Sequence, residues 1–261
     1  MNTASIQKTM ALAVVCFGNE LKDGTMTLPQ FLDHAVDLGL DAVELCDRSI
    51  KNPAAVRGLL AERGLRMPSI ALRNDFTGPA NELPAQIGHI REWIGIAAEF
   101  GARTARVWTG WARTDATARR QITQAFDELI HVAVEHDVTL AVETHGGLSN
   151  DPEFMLPLAR RYRSHFGICI DFGNLPEPRQ EVIAAMLPEV VHVHVKTYAF
   201  DEQGDETTVP ARWAVTELAR RGYAGPWILE YEGEPPYLPG IEATMATVRH
   251  GVEAATAEPS R

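Results

Sequence analysis

The sequence predicts a single closed barrel of eight β/α units, a (β/α)8 or TIM barrel of the α/β class. Three observations lead to this prediction. The chain has 261 residues, close to the roughly 250 that such a barrel uses as one domain. Short apolar runs alternate with amphipathic stretches about eight times. No glycine-rich GxGxxG turn follows the first run, which disfavours an open dinucleotide-binding sheet. We expect one domain over residues 1–261, with the barrel at about 10–254 and a polar C-terminal tail.

The apolar runs have the character of buried parallel strands. They are mostly β-branched or aliphatic, and Gly, Pro, Asp or Asn residues bound them. The predicted strands are 11–16, 42–45, 67–71, 104–108, 139–142, 167–170, 190–195 and 227–229.

Between these strands, apolar residues recur every three to four positions, as they do in amphipathic helices. Apolar side chains at 31, 32, 35, 36 and 38 share one helical face. Thr27 before Leu28-Pro29 and Asp151 before Pro152 are helix start signals. Helix-ending glycines precede four of the strands, as left-handed C-terminal caps do; they are Gly39, Gly64, Gly101 and Gly222. Repeated strand–helix units predict parallel strands with right-handed crossovers.

Composition limits the classes of partner. The chain carries 24 Lys and Arg against 35 Asp and Glu, a net charge of −11 that argues against nucleic acid. No apolar run approaches the length of a membrane span, and the N-terminus lacks the pattern of a signal peptide. Three cysteines without CxxC spacing are expected to be buried, reduced thiols. We therefore expect a cytoplasmic protein without a membrane or nucleic-acid partner.

Ionisable side chains fall at the carboxyl ends of at least five predicted strands, where a barrel places its function. Strand five ends in Val142-Glu143-Thr144-His145, and strand six in Ile170-Asp171-Phe172-Gly173-Asn174. Strand seven continues as His192-Val193-His194-Val195-Lys196, and strand eight ends in Leu229-Glu230. Strand two carries Glu44.

Strand parity directs these side chains inward. His192, His194 and Lys196 alternate with three valines, so they share the barrel-facing side. Three carboxylates that converge in an apolar interior need positive charge. Glu143, Asp171, His194 and Glu230 are therefore expected to hold one divalent metal ion. His192, one layer deeper, is expected to be a hydrogen-bonded core histidine.

Three carboxylates and one imidazole form a hard ligand set. Mn²⁺ or Mg²⁺ suits it best, and Co²⁺ or Zn²⁺ is also compatible. Open coordination positions would accept two oxygens of a polyol or hydroxyketone, whose C–H bond next to the carbonyl then becomes acidic.

The order of these motifs resembles the sugar phosphate isomerase/epimerase superfamily, the xylose isomerase-like TIM barrels. The resemblance covers roughly residues 10–250 and includes the Ala-Val-Glu-Leu of strand two. It implies the same four metal ligands, with Glu143 and Glu230 as the acid–base pair. The implied enzyme of carbohydrate metabolism is an isomerase or epimerase of a small sugar or hydroxyketone, acting by proton transfer through a metal-bound enediolate. Asn174 and Thr197 depart from the family's common pattern.

Two other activities stay open on the same site. A metal-dependent lyase would use the same enolate and then expel a leaving group, either as a dehydratase of a keto-polyol or keto acid or as an eliminase of a 3-keto-glycoside. Lys196 or His145 would then donate the proton. An apurinic endonuclease is the third alternative, although the chain lacks a basic run and additional histidine ligands.

The substrate is expected to be a small sugar or keto-polyol. Arg73 and Trp108 follow strands three and four at the functional end of the barrel. Glu44 could instead anchor a loop by pairing with Arg73 or Lys196. The candidate substrate-binding residues are Glu44, Arg73, Trp108, His145, Asn174 and Lys196. A homo-oligomer is left open, because no interface stripe is identifiable.

Overall fold

Eight parallel strands close into one barrel in the computed structural model, which describes residues 3–257. The strands pair in sequence order, and β8 returns to pair with β1. The predicted (β/α)8 fold is therefore confirmed. The strands are β1 (Met10–Ala13), β2 (Val43–Cys46), β3 (Ser69–Ala71), β4 (Thr104–Val107), β5 (Thr139–Glu143), β6 (Phe166–Asp171), β7 (Val190–Thr197) and β8 (Trp227–Tyr231).

Helices precede the first strand, occupy the connections between the strands and follow the last strand. They are α1 (Thr3–Gln7), α2 (Gly18–Asp23), α3 (Leu28–Asp37), α4 (Pro53–Arg63), α5 (Leu83–Glu99), α6 (Ala116–His136), α7 (Pro152–Tyr162), α8 (Arg179–Met186), α9 (Ala211–Arg220) and α10 (Tyr237–Ala257). α10 extends past residue 254, where the tail was predicted to begin, and the tail's last residues, 258–261, lie outside the described part. Across residues 3–257, no helix has both the length and the apolar character needed to traverse a lipid bilayer.

The predicted helix boundaries follow from local chemistry. Before α3, Gln30 Oε1 accepts hydrogen bonds from the Thr27 backbone N–H and hydroxyl at 2.9 and 2.8 Å. Asp151 caps α7 by accepting the Glu153 N–H at 2.9 Å. The four predicted helix-ending glycines all adopt positive φ, between 65° and 79°. Both start signals and all four stop signals are confirmed.

Strand one is shorter than the sequence predicts. β1 ends at Ala13, and Val14–Phe17 forms a turn of 3-10 helix. This turn places Cys16 against β8, where its thiol donates to Leu229 O and accepts the Tyr231 N–H, both at 3.3 Å. Burial raises the pKa of the Cys16 thiol far above its ordinary value, so this cysteine stays protonated, as a structural thiol does.

Internal packing divides the chain into two compact units. Among the described residues, the first consists of 3–44, Ala54–Arg66 and 193–257. Ala11, Ala13, Ala42 and Ile228 form a buried apolar cluster within it. α9 packs along α10, and Thr197 shares a 2.6 Å hydrogen bond with Thr244 of α10.

The second unit consists of Leu45–Pro53 and Met67–His192. Its helices pack on its strands through aromatic edges. Phe126 of α6 lies 5.5 Å from Phe76 and 4.8 Å from Phe166 of β6, between ring centroids, with near-perpendicular planes. All three rings are buried.

Gly167 allows β6 and β7 to approach closely, and we expect Gly167→Ala to destabilise the protein. An added Cβ would clash with Val191 Cγ1 and lie 2.9 Å from the Glu189 carbonyl oxygen. Such overpacking costs about 1–3 kcal/mol. Gly88, on the exposed face of α5, has no atom within 4 Å of the same position. Gly88→Ala should therefore stabilise the protein by up to about 1 kcal/mol. Urea unfolding of both variants measures these opposite effects, and equal midpoints would contradict them.

Candidate metal centre

Four buried side chains that could bind a metal ion converge at or near the carboxyl ends of β5 to β8. Glu143 and Asp171 are the last residues of β5 and β6, His194 lies in β7, and Glu230 is the penultimate residue of β8. Each offers one ligand atom, and these atoms all lie within 4.8 Å of one another. The exposed fractions of the four residues are between 0 and 5%. Three carboxylates this close repel each other strongly in a dry site. The donor set therefore fits a divalent cation.

The backbone around Asp171 fixes its carboxylate. Asp171 Oδ1 accepts the N–H groups of Gly173 and Asn174 at 2.8 and 3.1 Å. The Asp171 N–H in turn donates to the Thr144 hydroxyl at 2.9 Å. These bonds hold the turn after β6 in a shape that presents the carboxylate.

His194 lies between two buried carboxylates. Its Nδ1 is 2.9 Å from Glu230 Oε1, and its Nε2 is 3.0 Å from Glu44 Oε1 on β2. A histidine that binds a metal through one nitrogen usually has a carboxylate at the other, which fixes the ring and its tautomer. Glu44 lies where it would fix the His194 ring if Nδ1 bound a metal ion.

Lys196 supplies positive charge on the other side of Glu230. Its ammonium group lies 3.3 Å from Glu230 Oε2 and 3.1 Å from Glu232 Oε1. Only 4% of Lys196 is exposed, so the long side chain is held in place between these two carboxylates.

Several side chains contact both oxygens of Glu143. Trp108 Nε1 donates to Glu143 Oε2 at 2.5 Å, and Arg106 Nε lies 3.1 Å from the same oxygen. Asn174 Nδ2 donates to Oε1 at 3.1 Å, and His145 Nδ1 is 3.3 Å from that oxygen. The carboxylate is therefore held from both of its oxygens.

Aromatic rings line the region beside Glu143. Trp108 stacks on His145 with a centroid distance of 4.5 Å, and its edge meets Trp111 at 5.1 Å. Trp111 is 46% exposed, unusual for so large an apolar side chain. The Arg73 guanidinium lies 5.8 Å from the Trp108 ring centroid. This part of the site offers flat apolar surface and a cation.

The structure thus brings the four predicted metal ligands together. Of the six candidate substrate-binding residues, Trp108, His145 and Asn174 contact Glu143, Lys196 contacts Glu230, and Glu44 contacts His194. Arg73 meets the site through the Trp108 ring. Arg106 was not predicted to belong to the site, because its one signal is a charged residue inside the apolar run of β4.

His192 and Cys169 form a second buried group with His194. Their ligand atoms and one of His194 lie within 4.8 Å of one another, and all three residues are fully buried. Cys46, expected to be buried, is instead half-buried, with its thiol 3.7 Å from the Ser49 hydroxyl.

A family profile for the xylose isomerase-like TIM barrel matches residues 32–253. The chain belongs to this family. A solved xylose isomerase-like barrel from Mycobacterium smegmatis, in complex with magnesium, superimposes with a TM-score of 0.76. It covers 98% of this chain and 100% of that one at 19% identity, a likeness that establishes the shared fold alone.

Two curated relatives are also similar in sequence to the chain described here. The L-ribulose-5-phosphate 3-epimerase UlaE of Escherichia coli O1:K1 / APEC is 25% identical over 236 residues, 83% of this chain and 82% of the relative. The 3′-dehydrocarminate deglycosidase alpha subunit of a Microbacterium species is 44% identical over 61 residues. This second match spans only 23% of this chain and 18% of that subunit.

Proposed function

We propose that this protein is a divalent-metal-dependent isomerase or epimerase of a small sugar or hydroxyketone. The buried cluster of Glu143, Asp171, His194 and Glu230 carries the proposal, because it combines a hard donor set with two glutamates suited to proton transfer. The similarity to an epimerase over most of the chain supports the reaction class.

The four clustered residues would hold the metal, and Nδ1 would be the ligand atom of His194. Mn²⁺ and Mg²⁺ are the proposed ions. When bound, the metal would polarise the substrate carbonyl and so acidify the neighbouring C–H bond.

The glutamates then exchange protons with the substrate. One carboxylate takes the proton from the carbon next to the carbonyl, and the C–H electron pair moves into a new C=C bond. The carbonyl π electrons move to oxygen, which gives an enediolate. In an epimerase the second glutamate returns a proton to the opposite face of the same carbon, and the C=O bond forms again. In an isomerase a proton is returned to the adjacent carbon, the former carbonyl carbon, while the hydroxyl proton moves from one oxygen of the enediolate to the other, so that the carbonyl re-forms at the other carbon.

Other side chains orient the substrate in this proposal. Trp108, His145 and Asn174, with Arg73 beside them, would bind sugar hydroxyl groups and one sugar face. Lys196 would stabilise the charge at Glu230 through its 3.3 Å contact. Glu44 would keep the His194 ring in place through its 3.0 Å contact.

Incubation in deuterium oxide tests the proposal. Purified protein loaded with Mn²⁺ is offered a panel of ketoses, keto acids and 3-keto-glycosides, and the products are followed by NMR and mass spectrometry. We expect deuterium at the carbon next to the carbonyl and an epimer or aldose as the product. Absence of exchange with every substrate in the panel would refute the proposal.

A lyase is the second candidate, favoured by the 44% local identity to a deglycosidase alpha subunit. It would eliminate a leaving group from the same enolate, with Lys196 or His145 as the proton donor. The same panel separates the two reactions, because elimination from a 3-keto-glycoside releases an aglycone of lower mass, whereas isomerisation leaves the mass unchanged apart from deuterium.

A further inference from the structure

Arg106 is a charged residue in the middle of a buried strand. It lies in β4, and only 9% of it is exposed. Its Nη1 donates to the Leu72 carbonyl at 3.2 Å, and its guanidinium carbon lies 4.7 Å from the Trp108 ring centroid. Burying a guanidinium group raises the free energy of the folded state unless its contacts compensate for the lost hydration. Arg106 has such contacts, and one of them reaches Glu143.

Arg106 and Trp108 meet the same oxygen of Glu143. Arg106 Nε lies 3.1 Å from Oε2, and Trp108 Nε1 donates to Oε2 at 2.5 Å. Because Arg106 also stacks on Trp108, the cation and the indole hold each other as well as the carboxylate. A glutamate side chain has several rotatable bonds, so a metal site needs neighbours that fix its direction.

We infer that Arg106 is the positioning residue for Glu143. Together with Trp108 it fixes the plane of the Glu143 carboxylate, so that this ligand is already oriented before a metal ion arrives. In this role Arg106 acts through its contact with Glu143. The consequence for metal binding rests on the proposed function, whereas the hold on Glu143 does not.

Two effects of Arg106 on metal affinity have opposite signs. A positive charge near the site repels a divalent cation, so charge alone predicts tighter metal binding when Arg106 is removed. Positioning predicts the reverse, since a mobile Glu143 must be ordered on binding. Loss of a residue that orients a ligand typically weakens metal binding about 10- to 100-fold.

Titration of metal-free protein with Mn²⁺ by calorimetry distinguishes the two effects. We expect Arg106→Met to weaken binding about 10- to 100-fold, and Arg106→Lys, which keeps the charge but loses the planar fork, to lie between it and the wild type. Arg119→Met is the matched control, because Arg119 also pairs with a carboxylate, Asp151 at 3.0 Å, and lies over an aromatic ring, Phe154 at 5.0 Å. Its Kd should stay within about twofold of the wild type.

A second measurement needs no metal. The indole N–H resonance of Trp108, assigned with Trp108→Phe, should move in both Arg106 variants of the metal-free protein and stay in place in Arg119→Met. Arg106→Lys preserves the charge of the strand, so it keeps the test available if Arg106→Met does not fold.

Each outcome decides the inference. An unmoved indole resonance in both Arg106 variants, or unchanged or tighter Mn²⁺ binding by them, would overturn it. If the wild type binds no Mn²⁺ at millimolar concentration, the proposed function fails. Movement of the indole resonance then still supports the hold of Arg106 on Glu143.

Discussion

Replacing Glu230 by glutamine is expected to lower kcat by about 10²- to 10⁴-fold, the range that general acid–base catalysis contributes. Glutamine has nearly the same shape, so it can still face His194 and Lys196. It cannot accept or release the proton, and it brings no negative charge to the ligand cluster. Glu143→Gln is expected to have a loss of the same order. Turnover should be measured at saturating Mn²⁺ to separate slow chemistry from weak metal binding.

Glu232→Gln is the matched control for this prediction. Glu232 contacts the same Lys196, at 3.1 Å, but does not belong to the ligand cluster. Its replacement should change kcat by less than about tenfold. Deuterium exchange at the substrate carbon that continues at the wild-type rate in both Glu143→Gln and Glu230→Gln would rule out these glutamates as the acid–base pair.

Removal of the metal is expected to abolish turnover and to lower Tm. Without a cation, three buried carboxylates repel one another, and the folded state loses the free energy of ligand binding. A ligand at about 100 times its Kd stabilises a protein by about 2.7 kcal/mol. In a chain of this size such a loss lowers Tm by about 5–10 °C. Calorimetry before and after dialysis against EDTA measures this shift, and added Mn²⁺ or Mg²⁺ should restore both Tm and activity.

His194→Ala provides the comparison for the stability change. It lacks one ligand, so Mn²⁺ should raise its Tm far less than that of the wild type. An equal rise in both proteins would place the bound ion elsewhere. Full activity after exhaustive dialysis would show instead that the reaction needs no metal.

Much of the fold could be predicted because its signals are local. The cap at Thr27 involves only Gln30, three residues away, and Gly39 ends α3 through its own positive φ. Strand seven could also be predicted from local sequence, because alternating valines and ionisable residues fit a strand with one apolar face and one polar face. The end of strand one could not be predicted, because the apolar run from Val14 to Phe17 fits a 3-10 turn as well as it fits a strand.

The clustering of Glu143, Asp171, His194 and Glu230 could be predicted because each is a polar residue, costly to bury, within or at the end of an apolar run. Their neighbours were harder, since those contacts join positions far apart in the chain. Glu44 lies 150 residues from His194, and no local pattern selects that partner over Arg73 or Lys196. Arg106 was overlooked because a single arginine within Thr104-Ala105-Arg106-Val107 resembles an exposed strand residue, and only the positions of Glu143 and Trp108 give it a role.

At β5 and β6 the predicted metal ligands and the candidate substrate-binding residues lie in different segments, which has a consequence for protein engineering. The predicted ligands Glu143 and Asp171 end their strands, whereas His145 and Asn174 lie two and three residues further on, in the loops. Loop segments that begin after His145 and after Asn174 can therefore be exchanged with those of other barrels, because the residues that hold the Glu143 and Asp171 carboxylates then stay in place. New substrate preferences should be accessible by grafting, provided that the register at Glu143 and Asp171 is preserved.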